Sequence, residues 1–158
     1  MPNPYFQFKQ FTIWHDKCAM KVGTDGVLLG AWAEAGAPQQ ILDIGTGTGL
    51  IALMLAQRNP LSQITAIEID EAAATQAEEN IARSPWANRI EVICNDFSLF
   101  QTDNKYHLIV SNPPYFVDAL NCPDKQRNMA RHTCELNYEL LFQRSAHLLE
   151  DQGRICII

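Results

Sequence analysis

The chain has 158 residues, 47% of them hydrophobic, which suits one globular domain with a buried core and excludes wholesale disorder. Its net charge of −6 argues against a surface built throughout for nucleic acid. The N-terminus has no basic stretch followed by an apolar run, and the longest apolar run, Leu50–Ala56, is far short of a bilayer span, so a soluble, cytoplasmic protein is expected.

Residues 5–22 read as short extended pieces, with Phe6, Phe8, Phe11, Ile13 and Trp14 alternating imperfectly with polar residues and a turn at His15-Asp16-Lys17. Thr24 is expected to cap a helix running to Trp32, with Val27, Leu28 and Ala31 as its apolar face. Gly36-Ala37-Pro38 ends it. A strand at Ile41–Ile44 follows, then a helix at Leu50–Arg58 stopped by Asn59-Pro60. Next come a β-branched strand at Ile64–Ile69 and a helix at Glu71–Arg83, capped by Asp70 and closed by Ser84-Pro85. Ile90–Cys94 and His107–Val110 are further strands, Tyr138–Leu149 an amphipathic helix, and Arg154–Ile158 a last strand introduced by Gly153. Strands alternating with helices predict an α/β fold, a mostly parallel sheet covered on both faces. Residues 1–37 form an extended and helical lead-in, and residues 38–158 the core of the same domain. The chain stops on Ile155-Cys156-Ile157-Ile158 without a polar tail, so a truncated sheet is expected.

The charge is unevenly spread. Residues 38–100 carry eight acids and three bases, whereas residues 101–158 carry seven acids and six bases. Lys125, Arg127, Arg131 and His132 lie close together in the second stretch, which is where an anionic partner is best tolerated. The five cysteines, Cys18, Cys94, Cys122, Cys134 and Cys156, show no CxxC spacing, so reduced thiols and no metal are expected.

The chemistry is carried by two motifs. In the first, Asp43-Ile44-Gly45-Thr46-Gly47-Thr48-Gly49 joins a strand to a helix, and glycines at alternate positions let the backbone turn sharply and approach a ligand. By itself this loop also fits a dinucleotide pattern, because Gly47, Gly49 and Ala52 have the required spacing. Asp43 counts against pyrophosphate, since a second negative charge there repels it, and it suits a ligand amine or a water beside the loop. Glu68, at the end of the next strand, can accept hydrogen bonds from ribose hydroxyls, and Asp70 is better suited to capping. After the third strand, Asp96 can accept from an adenine amine, with Phe97 packing on the ring. The run Asp43–Leu50, with Glu68 and Asp96 at matching strand ends, resembles the class I S-adenosylmethionine methyltransferases. The resemblance implies a Rossmann-like sheet and S-adenosylmethionine as cofactor. It puts the glycine loop (Gly45, Thr46, Gly47 and Gly49) under the methionine part, Glu68 on the ribose and Asp96 on the adenine amine. It also implies that a closing C-terminal antiparallel hairpin is missing.

The second motif, Asn112-Pro113-Pro114-Tyr115, follows the fourth strand of this core. A conjugated exocyclic amine is a poor nucleophile because its lone pair is delocalised. Acceptors on both N–H bonds draw the nitrogen towards tetrahedral geometry. The Asn112 side-chain oxygen is one such acceptor and the Pro113 carbonyl the other, aimed by two stiff prolines, while Tyr115 offers a face for stacking. The motif resembles that of amino-methyltransferases acting on adenine N6, glutamine amide or guanine N2. Tyr115 in its last place favours the first two.

Phe8-Lys9-Gln10-Phe11-Thr12-Ile13, Met20-Lys21-Val22-Gly23-Thr24-Asp25-Gly26 and Arg127-Asn128-Met129-Ala130-Arg131-His132 extend the resemblance to bacterial tRNA adenine N6-methyltransferases acting on adenine 37 of a valine tRNA. This implies tRNA as partner and puts Lys21 and Thr24 at the methionine end of the cofactor. Arg131 and His132 are then read either as contacts to phosphate or a flipped base, or as partners of Glu135. The competing reading is a protein glutamine N5-methyltransferase of the release-factor type, or an amino-methyltransferase of rRNA or DNA.

Overall fold

The computed structural model describes residues 3–34, 36, 39–113 and 138–158. Strands β1 (Tyr5–Gln7) and β2 (Thr12–Trp14) pair antiparallel, with Phe6 opposite Ile13. Helix α1 (Thr24–Trp32) follows, then β3 (Gln40–Ile44), α2 (Leu50–Arg58), β4 (Gln63–Glu68) and α3 (Glu71–Ala82). A 3-10 turn at Ala87–Arg89 leads into β5 (Ile90–Cys94) and β6 (Tyr106–Ser111), and α4 (Tyr138–Leu148) runs straight into β7 (Leu149–Ile157). The sheet order is β5-β4-β3-β6-β7 and every neighbouring pair is parallel.

Period-two alternation divides the core between the two sheet faces. Ile41, Ile64, Ala66, Leu108 and Val110 join one cluster with α1, α2, α3 and the β1–β2 hairpin. Leu42, Ile44, Ile67 and Ile109 join the other with Phe97, Phe100 and Leu141 of α4. Helices therefore cover both faces, as the alternation predicts. The chain moves from β3 outward to β4 and β5, then returns to lay β6 on the other side of β3. That reversal opens a crevice beyond the carboxyl ends of β3 and β6, the place where open α/β sheets bind ligands.

Helix α1 departs from its predicted form in two ways. Its N-cap is Gly23, with no side-chain capping bond, so Thr24 is the first helical residue and not the cap. Its inward face is Gly26, Leu29 and Gly30, whereas Leu28 is 53% exposed. The cause is close helix packing. A Cβ at Gly30 would lie 2.9 Å from the Met54 Cβ, and one at Gly26 would lie 3.1 Å from Leu50 Cδ2. Glycine at these positions lets α1 lie down on α2. Strand β7 also starts earlier than expected and bends midway. Its register against β6 slips between Leu149 and Arg154, and Gln152 takes the left-handed conformation at φ 65°.

Two buried amides on α3 fasten the end of the hairpin and the turn after it. Asn80 Oδ1 accepts from the Trp14 N–H (2.9 Å), and Asn80 Nδ2 donates to the Trp14 carbonyl (2.8 Å) and the Thr48 carbonyl (2.9 Å). Gln76 Oε1 accepts from the Lys17 N–H at 2.9 Å. His15 adds a third tie, its Nδ1 accepting from the Val22 N–H (3.4 Å) and its Nε2 meeting the Asn3 carbonyl (2.9 Å).

Candidate active site

The glycine loop is built by three left-handed residues, Gly45 (φ 70°), Gly47 (φ 56°) and Gly49 (φ 81°), a conformation that side chains disfavour. The Gly45 and Thr46 N–H groups donate to the Ile67 carbonyl at 2.8 and 3.0 Å, which folds the loop back over the end of β4. Glu68 secures it. Its Oε2 accepts from the Gly47 N–H (2.7 Å) and its Oε1 from the Asp70 N–H (3.0 Å). Asp70 caps α3 through the Ala73 N–H at 2.7 Å.

Asp43 lies beneath the loop, fully buried. Its Oδ2 accepts from Thr46 Oγ1 (2.7 Å) and from the Ala52 N–H at the start of α2 (3.2 Å), while Oδ1 has no partner among the described residues. Burial pushes its pKa up to about 7, and the bonds from Thr46 and Ala52 pull the other way. Asp43 thus holds loop to helix from below and does not reach the crevice.

Above the loop lies a cleft of about 320 Å³. Gly45, Thr46, Gly47 and Thr48 form its floor, and the first residues of α2, Leu50 and Ile51, one wall. The opposite wall is Gly23, Thr24, Asp25 and Gly26 at the start of α1, with Met20 and Lys21 at the rim. Asn112 closes it from the end of β6. Two helix N-termini therefore converge on one space, and the positive ends of their dipoles favour a carboxylate there. Asp25 is the one acid among the described lining residues and suits an ammonium group. A Cβ at Gly45 would meet nothing within 4 Å, so the loop's upper face is open.

Asn112 is placed by the sheet. Ser111, the last residue of β6, is buried and its Oγ donates to the Ile44 carbonyl at 2.8 Å, locking the ends of β6 and β3 together. Asn112 follows, half-buried, and its side-chain amide makes no hydrogen bond among the described residues. Pro113 is buried behind it.

Of the residues named from sequence, Lys21, Thr24, Gly45, Thr46, Gly47 and Asn112 meet in this cleft. Gly49 packs instead on α3, where a Cβ would lie 3.4 Å from that of Ala77. Glu68 and Asp96 stand at the ends of β4 and β5, further along the same sheet edge. Asp96 is half-buried and its Oδ1 accepts from the Ser98 N–H at 2.7 Å. Phe97 is 4% exposed and packs in the core with Leu42, Ile44 and Ile67, a position that offers no ring face to a ligand. Pro114, Tyr115, Arg131 and His132 lie outside the described residues. Asp25 and Gly26 went unassigned in the sequence. Their signal is an acid followed by glycine in the first turn of the expected helix. No group of three or more His, Cys, Asp or Glu able to hold a metal occurs among the described residues, and none of their helices is long and apolar enough to cross a membrane.

A family model described as methyltransferase small domain matches residues 20–158. A tRNA1(Val) (adenine(37)-N6)-methyltransferase of Bacteroides thetaiotaomicron is 65% identical over 159 residues, covering 100% of this chain and 67% of that protein. The protein of the same name from Parabacteroides distasonis is 61% identical over 160 residues, with the same two coverages. The chain thus spans about two thirds of the length of these relatives. Among solved structures, a SAM-dependent methyltransferase from Thiobacillus denitrificans, crystallised with S-adenosyl-L-homocysteine, superposes with a TM-score of 0.64 at 18% identity, over 86% of this chain and 48% of the other. That likeness is one of fold.

Proposed function

The chain belongs to the methyltransferase small domain family, and from that premise we propose that it transfers a methyl group from S-adenosylmethionine to N6 of adenine 37 in a valine tRNA. The observation that carries this reading is that Asn112 lines the same cleft as the glycine loop and the N-terminus of α1. An amine-activating group and a seat for an amino-acid zwitterion share one space.

The methionine end of the cofactor would occupy that space. The first turns of α1 and α2 would receive the carboxylate and Asp25 the ammonium, with Lys21 and Thr24 at the rim. Glu68 would hold the ribose. Each of its oxygens already takes one backbone N–H, and a carboxylate oxygen has a second acceptor position to offer. Asp96 would take the adenine amine. When bound, S-adenosylmethionine supplies a methyl group made electrophilic by its sulfonium.

The rest is done by the protein. Asn112 Oδ1 and the Pro113 carbonyl would accept the two N–H bonds of the target amine, aligning its lone pair, and Tyr115 would stack on the base. Ser111 is a positioning residue, because its bond to Ile44 fixes where Asn112 begins. A tRNA substrate places the protein in the cytoplasm.

The test offers labelled S-adenosylmethionine with unmodified tRNA, a DNA duplex and a release-factor peptide in parallel. Label recovered as N6-methyladenosine from the tRNA is expected. Label in the peptide alone would overturn the assignment in favour of glutamine.

A further inference from the structure

The β1–β2 hairpin precedes the residues matched by the family model, and the cleft chemistry makes no use of it. Its outer side frames a second open concavity of about 600 Å³. Tyr5, Phe8, Phe11 and Trp14 supply the rings, and Lys9 and Arg83 the charge. Tyr5 and Trp14 pack at 5.0 Å between centroids, Phe8 stacks on Phe11 at 4.6 Å, and the Arg83 guanidinium sits 5.7 Å over the Trp14 ring.

Three features set this pocket apart from ordinary hairpin packing. First, Tyr5, Phe8 and Trp14 remain half-exposed around the opening. Second, none of its nine described lining residues is an acid, although the chain carries 18 acids and 12 bases. Third, neither Lys9 nor Arg83 makes an ion pair among the described residues, whereas nearby Lys17 is paired with Glu79. Aromatic faces beside unpaired cations are what an unpaired nucleotide requires, base on ring and phosphate on charge. The pocket is also one side chain from the cofactor cleft, because Asn80 bonds both to Trp14 and to Thr48 of the loop.

We propose that this hairpin pocket is a second RNA contact, which binds an unpaired nucleotide of the tRNA outside the base being methylated. The proposal rests on the reading of tRNA as substrate.

Affinity for unmodified tRNA over a salt series, affinity for S-adenosylmethionine and methyl transfer to tRNA would be measured for the wild type and three variants. Lys9→Glu with Arg83→Glu is expected to weaken tRNA binding about tenfold or more and to flatten its salt dependence. Tyr5→Leu keeps an apolar side chain but loses the stacking face. It is expected to weaken tRNA binding about fivefold or more with the salt dependence unchanged. Cofactor affinity should hold in both. Lys9→Glu alone is the control for folding, since Lys9 is exposed and has no ring to support; it should weaken tRNA binding with an unchanged melting temperature. Wild-type transfer to tRNA, with all variants binding tRNA as tightly as the wild type, overturns the hairpin site and leaves the tRNA reading intact. A wild type that neither binds nor methylates tRNA removes both.

Discussion

Asp43 is an acid in an apolar place, and its titration should be visible in stability. An acid whose pKa is higher folded than unfolded holds its proton more tightly when folded. The stability this gives is complete below the ordinary value of 3.8 and is lost as pH climbs to about 7. Asp43→Asn is uncharged throughout. Urea melts from pH 4.5 to 7.5 are expected to show the wild type losing stability relative to the variant as pH rises, and parallel curves would contradict the assignment. Within the cleft, Asn112→Ala is expected to cut methyl transfer by at least about 10²-fold, the scale of one lost preorganised hydrogen-bonding group. Calorimetry should find cofactor affinity nearly unchanged. Undiminished turnover would refute the role in amine activation. Both residues could be picked from sequence by type and spacing. What could not be read is that Asp43 faces the underside of the loop, because one residue of twist decides whether a strand-end side chain meets ligand or core. The same uncertainty separates Asp96, on the sheet edge, from Phe97, in the core.

At the scale of elements, period-two and helical patterns located the buried strands and α2 and α3, because those pieces are defined by apolar residues meeting apolar residues. Helix α1 resisted the same treatment. Its contact with α2 is made by Gly26 and Gly30, which a hydrophobic pattern does not register. Gly30→Val is therefore expected to destabilise the fold by about 1–3 kcal/mol through overpacking against Met54. Leu28→Ala, at an exposed position of the same helix, should stay within about 0.5 kcal/mol. Thermal melts of the two variants distinguish them, and equal losses would mean that α1 is not packed on this face. Because Gly26 also lines the cleft, the contact that seats α1 on α2 sets the width between the two helix N-termini.

At the scale of the molecule, the parallel order was legible because alternating strands and helices leave few topologies. The docking of the hairpin was not. It depends on Gln76 and Asn80, which in sequence look like polar residues on the wet side of a helix. Asn80→Ala would leave the Trp14 amide and two carbonyls without their partner, and a loss of about 2–4 kcal/mol is expected from urea melts. Hydrogen exchange at the Trp14 amide should accelerate more than exchange in β3, and uniform acceleration would show that the clamp is not local. The Asn80 clamp also sets an order of events during synthesis. Trp14 and Asn80 are 66 residues apart, so at roughly 5–20 residues per second the hairpin leaves the ribosome about 3–13 s before its anchor exists. Through that interval the Trp14 main chain lacks its α3 partner, which makes the hairpin among the last parts of the fold to settle.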